Sequence, residues 1–257
     1  MIQGTVLITG ATSGIGEAYA RHFASKGHDL ILTGRRRDKL NRLQKELSGA
    51  FRIGVRLVFA DFTRMEDIGK IVDIIRKEDR IEVLVNNAGF GNKKPFGEGG
   101  LEEQTAMILA HELASARFAH AVLPGMRRRK KGAIINVASM AAFMPSSIDS
   151  MYCATKSFLL TFSESLHMRF RKSGIRIQAL CPGFIKTDFH ARLGPQPRGM
   201  KDNGLIKWQD PASVVKTSIG YLKRDIPVCV PGFWYRVVLA LVRFMPRGFY
   251  YRFAGKY

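Results

Sequence analysis

The 257-residue chain is short of cysteine, short of acid and without a long apolar run. Its three cysteines, Cys153, Cys181 and Cys229, are an odd number with no CxxC pair. Neither a disulfide framework nor a zinc site is indicated, so no metal is expected and a reducing, cytoplasmic compartment fits. The longest late apolar run, Val237 to Val242, is bounded by Arg236 and Arg243, whereas a spanning helix needs about 20 residues. MIQGTVLITG shows no basic region and no cleavage pattern, so no signal peptide is expected. Asp and Glu number 21 against 41 Lys and Arg, a formal net charge of +20. That surplus attracts polyanions at long range, whether nucleic acid, anionic lipid, an acidic carrier protein or a phosphorylated small molecule, without choosing among them.

What is there is ordinary for a globular protein: 46% hydrophobic and 24% charged residues, with no linker or repeat to divide residues 1–257 into more than one domain. Short apolar runs alternate with helix-period segments such as Ile68, Ile71, Val72 and Ile75. The predicted strands are Thr5 to Thr9, Asp29 to Thr33, Val55 to Ala60, Val83 to Asn86, Ala133 to Val137, Arg176 to Cys181 and Pro227 to Val230. This alternation predicts an α/β fold, a doubly wound parallel sheet of about seven strands with helices on both faces. Two regions break the rhythm. Phe184 to Trp208 is rich in Gly, Pro and basic residues and is predicted to be a substrate loop; Gly232 to Tyr257 is a basic, aromatic C-terminal extension.

The first strand runs into TGATSGIG, with Gly10, Gly14 and Gly16 at the turn into a helix. Glycines there let the backbone turn tightly and approach a diphosphate, and a helix N-terminus offers free N–H groups. The GxxxGxG spacing differs from GxGxxG, and a plain turn is the alternative; the place in the first strand–helix unit favours a cofactor. NNAG, Asn86 to Gly89, follows the fourth strand, either as a turn or beside the glycine loop where strand order reverses. Tyr152 and Lys156, four apart, share a helix face, and Ser139 closes the preceding strand. Such a pair also arises by chance, but this helix starts at the same strand-end crevice. A lysine charge about 5 Å from a phenol, at an effective dielectric of about 20, favours phenolate by about 3 kcal/mol and predicts a tyrosine pKa drawn from about 10 towards neutral. A phenol so poised exchanges a proton with a carbonyl or alcohol oxygen, which the Ser139 hydroxyl would hold in place.

TGATSGIG, NNAG, Ser139, YCATK and CPGFIKT stand in an order and spacing that resembles the short-chain dehydrogenase/reductase family, over about residues 4 to 230. The resemblance implies a Rossmann-type fold with Gly10, Ser13, Gly14, Ile15 and Gly16 on the cofactor's ribose and diphosphate. It puts Asp61 against the adenine, Asn87, Ala88 and Gly89 on the adenosine side, and Pro182, Gly183 and Thr187 around the nicotinamide. It makes Tyr152 the general acid/base, Ser139 the residue that orients the substrate oxygen, and Lys156 the nicotinamide-ribose ligand. It also implies a homo-oligomer.

One position departs from the family pattern. The family carries an asparagine thirteen residues ahead of the proline of LPGM, and counting back from Pro124 gives His111. That asparagine helps hold a water on the lysine's proton route. Two readings of His111 are open: a proton-relaying imidazole, and a residue that only packs between helices.

The second strand ends in LTGRRRDK, with no acid until Asp38. An acidic residue there would bind both ribose hydroxyls of NAD; arginine forks match the 2′-phosphate of NADP(H). Arg35 is the first choice for that contact and Arg36 the second, with Arg37 starting the next helix and pointing to water; a solvated cluster is the alternative. MRRRKKG, at Met126 to Gly132, reads as a solvated basic connection. The C-terminal extension covers the substrate pocket or an oligomer interface, or lies on an anionic membrane with its aromatics at the boundary. No specific nucleic-acid partner is predicted. The leading function is an NADPH-dependent reductase of a small apolar ketone or aldehyde. The same chemistry run as an alcohol or hydroxysteroid dehydrogenase is the second reading, and a cofactor-binding regulatory or polyanion-binding protein the third.

Overall fold

The computed structural model describes residues 4–91, 95–147, 149–186 and 208–254. Among them, seven strands form one sheet: β1 (Thr5–Ile8), β2 (Leu30–Gly34), β3 (Val55–Phe59), β4 (Ile81–Asn86), β5 (Gly132–Val137), β6 (Ile175–Leu180) and β7 (Val228–Cys229). Their order is β3-β2-β1-β4-β5-β6-β7, and every pairing is parallel. The crossovers carry α1 (Gly14–Ala24), α2 (Arg37–Phe51), α3 (Met65–Lys77), α4 (Leu101–Ile108), α5 (Ala114–Arg129), α6 (Ser150–Phe170) and α7 (Pro211–Lys223). A wide π-helical turn, Leu109–Leu113, joins α4 to α5, and α8 (Phe233–Phe244) and α9 (Arg247–Ala254) follow β7. This is the doubly wound Rossmann-type sheet that the alternation of elements predicts, and each expected strand is found within two residues of its bounds.

Alternation along the strands feeds two cores. Val6 and Ile8 face Tyr19, Phe23, Leu40 and Leu47 of α1 and α2, while Leu7 faces Ile68, Ile71, Phe118 and Val122 of α3 and α5. Both faces are thereby dry, which is why the strands read as continuous apolar runs rather than alternating ones. The expected α3 stripe, Ile68, Ile71, Val72 and Ile75, is the buried one.

One expectation is corrected in part. MRRRKKG is largely exposed, as expected, but it is not only a connection: Arg127, Arg128 and Arg129 form the last turn of α5, where cations complement the carbonyl end of the helix. Arg128 and Arg129 converge on Asp79, Arg129 Nη2 donates to the Ile81 carbonyl at 2.7 Å, and Lys131 pairs with Glu82 at 2.9 Å. Acid from the loop before β4 had drawn the cluster in, a pairing invisible along the chain. The C-terminal extension forms two helices, α8 and α9.

The turn from β1 into α1 depends on glycine. Gly10 and Gly14 have φ of 65° and 59°, a region that side chains other than glycine enter at a cost. At Gly16 a Cβ would stand 2.4 Å from the Gly10 carbonyl oxygen and 2.5 Å from Asn87 Nδ2. Gly16→Ala is therefore expected to lower the urea-unfolding free energy by about 1–3 kcal/mol, the usual cost of overpacking. Gly69→Ala, at a helical site with nothing within 4 Å of the new carbon, is expected to raise it by up to about 1 kcal/mol. Equal effects at both sites would show that close packing at the turn is not what Gly16 provides.

Candidate active site

The order reverses between β1 and β4, and the two strand ends are laced together there. Asn87 Nδ2 donates to the carbonyls of Thr9 (2.9 Å) and Gly10 (3.0 Å), and Thr9 Oγ1 accepts the backbone N–H of Asn87 (2.8 Å) and of Ala88 (3.0 Å). Asn87, Ala88 and the glycine loop thus sit side by side, as the sequence motifs predict. Ser13 occupies the N-cap of α1 without capping it; its hydroxyl instead accepts from Arg36 Nη2 at 2.6 Å. The first-turn N–H groups are left to an outside acceptor, so the loop fits the diphosphate of a dinucleotide. Ile15 and Gly16 are buried behind it.

At the end of β2 the arginines divide. Arg36 is half-buried and grips Thr12 Oγ1 (2.7 Å) as well as Ser13. Arg35 is exposed and pairs with Asp61 at 3.4 Å. Burial raises the Asp61 carboxyl, but two hydrogen bonds from Thr63 together with Arg35 outweigh it and hold the pKa below the usual aspartate value. Arg37 starts α2 as expected, yet its guanidinium lies over the Phe59 ring, 4.5 Å from the centroid, rather than only in water. Arg35 and Arg36 together flank the edge of the glycine loop, with Arg36 the more firmly fixed.

Ser139, Tyr152 and Lys156 meet at the carboxyl end of β5. Ser139 follows that strand as the cap of a short 3-10 turn and accepts the Ala141 N–H at 3.1 Å. The Tyr152 phenol hydrogen-bonds Ser139, and Lys156 Nζ lies 5.5 Å from the Tyr152 ring centroid. Lys156 is buried and donates to the Val137 carbonyl at 3.0 Å. The expected fall of the tyrosine pKa is corrected. Burial pushes Tyr152 up to about 12 despite the Ser139 hydrogen bond, and burial brings Lys156 down to about 8. Counting only the attraction between the pair left out the larger cost of burying a phenolate.

His111 is fully buried in the π-helical turn. Its Nε2 accepts the Phe90 N–H at 3.0 Å, so the proton resides on Nδ1, which faces Thr155 Oγ1 at 2.8 Å; that hydroxyl donates on to the Tyr152 carbonyl at 3.0 Å. Burial, then the Lys156 charge, hold its pKa well below the usual histidine value. Gly89 touches the same ring: a Cβ there would stand 2.7 Å from Nε2.

Sequence reasoning missed several supporting residues. Asn86 Nδ2 donates to Asn136 Oδ1 (2.8 Å), and Asn136 Nδ2 to Ser163 Oγ (2.8 Å), a buried polar line from β4 through β5 to α6. Asparagine inside strands is disfavoured, and that was the available signal. Thr12 and Thr155 gave none. Pro182 and Gly183 follow β6 beside Ser139, with the Pro182 carbonyl taking the Met140 N–H at 2.9 Å. Thr187 lies outside the described residues, as does most of the Phe184 to Trp208 loop; its described ends bring the Phe184 and Trp208 rings to 5.5 Å.

Known proteins share this fold. A profile of the short chain dehydrogenase family matches residues 4–198. The very-long-chain 3-oxoacyl-CoA reductase of Macaca fascicularis is 35% identical over 185 residues, 70% of this chain and 59% of that protein, so less than two thirds of the relative is spanned. The short-chain dehydrogenase of Sphingobium yanoikuyae, solved in complex with NADPH, has a TM-score of 0.84 at 31% identity, covering 95% of this chain and 96% of that one. The bulky-bulky ketone specific alcohol dehydrogenase of Comamonas testosteroni has a TM-score of 0.80 at 26% identity over 96% of each chain. With the profile spanning most of the chain and the fold agreeing from end to end, the protein belongs to the short-chain dehydrogenase/reductase family.

Proposed function

We propose that the protein reduces an apolar ketone or aldehyde to its alcohol, with NADPH bound along the glycine loop. The observation that carries this reading is the Ser139–Tyr152 hydrogen bond beside Lys156, with burial holding the phenol protonated through the neutral range. A nicotinamide cofactor held along the glycine loop would supply a hydride. A substrate oxygen placed against Ser139 and Tyr152 would take the phenolic proton of Tyr152, leaving a phenolate. Lys156, mostly charged at neutral pH with a pKa of about 8 and 5.5 Å from the Tyr152 ring centroid, would offset that new negative charge. A protonated phenol suits reduction, because oxidation would need Tyr152 to start as the base.

Arg35 and Arg36 favour the 2′-phosphate of NADPH, in keeping with the NADPH complex of the Sphingobium relative. Phe143, Met144 and Phe184, half-buried around the Tyr152 side of the crevice, favour an apolar substrate, as do the names of the ketone- and acyl-specific relatives. Leu101 of α4 and Phe158 and Met168 of α6 are exposed and give a homo-oligomer its apolar contact. Three buried, unpaired thiols fit a reducing, cytoplasmic setting. For His111, two protein partners on its two nitrogens favour a clamp between the NNAG loop and α6 over a proton relay.

Three measurements test these roles. Tyr152→Phe is expected to cut NADPH-dependent ketone reduction by about 10²–10⁴-fold, the usual weight of general acid catalysis, while cofactor binding, read by NADPH fluorescence, persists. Retention of more than a tenth of the rate would remove Tyr152 as the acid. Arg36→Ala is expected to raise the NADPH KM by about tenfold or more, consistent with a charge-assisted hydrogen bond, with NADH little changed and Arg35→Ala weaker; a parent enzyme that prefers NADH would sink the assignment.

The third concerns His111. A folded pKa below the unfolded value of about 6.5 makes the neutral form the folded one, so its contribution is complete above that pH and declines as pH falls through it, by up to about 1.4 kcal/mol per unit. His111→Asn should flatten the fall in unfolding free energy between pH 7.5 and 5.5 and leave the pH profile of turnover between pH 6 and 9 unchanged in shape. A turnover inflection lost in the variant would instead mark a relay.

A further inference from the structure

The +20 charge is not absorbed by the cofactor contacts, and its most one-sided share lies where the structure exposes aromatic side chains. No acidic residue occurs from Gly232 to Tyr257, while Arg236, Arg243, Arg247 and Arg252 do. Helix α8 is apolar on two sides. At about 100° per residue, Tyr235, Leu239 and Val242 share one face, and Tyr235 and Leu239 pack into the core formed with Leu159 and Val230. Phe233, Trp234, Leu241 and Phe244 fall on the opposite side and are exposed, Leu241 by 64% and Phe244 by 86%. Arg236 and Arg243 lie between the two faces. On α9, Tyr251 is exposed as well, and the Tyr250 hydroxyl donates to the Pro145 carbonyl at 2.8 Å.

We propose that α8 and α9 form a docking surface for an anionic lipid membrane, lying in its plane. An exposed aromatic and aliphatic face bordered by arginines has the two elements such a contact needs: apolar area for the acyl boundary and guanidinium groups for headgroup phosphates. The geometry favours a surface-lying helix over a spanning one. The twelve residues of α8 extend about 18 Å, against about 30 Å of hydrocarbon, and among the described residues no helix is long and apolar enough to cross. Charge decides against a second copy as occupant. A two-fold contact places the same patch against itself, and arginines facing arginines with no intervening carboxylate repel, whereas phosphates neutralise them.

The surface adjoins the crevice. Tyr235 sits so close to Gly183 that a Cβ there would fall 2.1 Å from the ring, and its hydroxyl accepts the Phe184 N–H at 3.0 Å. Pro145, held by Tyr250, belongs to the segment between Ser139 and α6. The two docking helices thus reach residues beside the crevice with their inner sides, while their outer aromatic sides meet the bilayer.

The test is co-sedimentation of the full chain with vesicles of phosphatidylcholine alone and with about 30% phosphatidylserine. Binding is expected to be at least about tenfold stronger to the anionic vesicles and to fall with salt. Arg243→Glu/Arg247→Glu and, separately, Phe233→Ser/Phe244→Ser should each weaken it by about tenfold, with thermal unfolding and turnover of a water-soluble ketone unchanged. In a Trp208→Phe background, Trp234 emission should shift to the blue on adding anionic vesicles. Equal binding to both vesicle types, or no effect of either double variant, would overturn the proposal. So would self-association without lipid that Phe233→Ser/Phe244→Ser abolishes, since a second copy would then be the occupant. Because vesicle binding needs no turnover, these outcomes are independent of the reductase reading.

Discussion

Two carbonyls at the end of β1 carry much of the site's geometry. The order of the sheet reverses there, so the chain leaves β1 and β4 towards opposite faces and the strand ends would otherwise part. Asn87 closes the gap with both hydrogens of its carboxamide on Thr9 and Gly10. Thr9 uses its hydroxyl fully, donating to Val85 and accepting from Asn87 and Ala88. Each bond contributes only about 1 kcal/mol net, but together they fix two loops that no strand pairing reaches. With Ala88 Cα 2.9 Å from where a Gly10 Cβ would stand, the fit tolerates no side chain.

The catalytic helix is tied to the same frame by polar groups placed where a core would ordinarily be apolar. Asn86, Asn136 and Ser163 hand hydrogen bonds from β4 through β5 to α6, and His111 fastens α6 to the Phe90 backbone through Thr155. Buried polar groups are costly unless satisfied, and once satisfied they fix register. The same low-dielectric surroundings raise Tyr152 and lower Lys156. Rigidity of the site and protonation of its phenol therefore share one physical origin in burial.

The fold was legible in the sequence because its signals are local and repeat. Strand and helix periods differ, and a parallel sheet demands crossovers, so the pattern of Val55 to Phe59 or Ile68 to Ile75 required no knowledge of neighbours. The glycine loop, NNAG, Ser139, Tyr152 and Lys156 were legible through spacing as much as chemistry. What escaped depends on residues distant in the chain. Asp79 drawing in Arg128 and Arg129, Arg36 reaching back to Thr12, and both partners of His111 are long-range contacts that composition does not encode. The tyrosine pKa escaped for a related reason: the lysine charge is visible in the sequence, and burial is not.

Charge also separates by where it is answered. At the end of α5 the arginines meet Asp79, and at the end of β2 they meet Asp61 and the glycine-loop hydroxyls. Along α8 and α9 the chain supplies no acid at all, so a second copy of the same surface would not neutralise it. The inner face of α8 reaches Gly183 and Phe184 through Tyr235, so one helix joins the outer face to the crevice. Its outer arginines call for an anionic partner, and its aromatics for an apolar one. A lipid surface offers both within the depth of one helix.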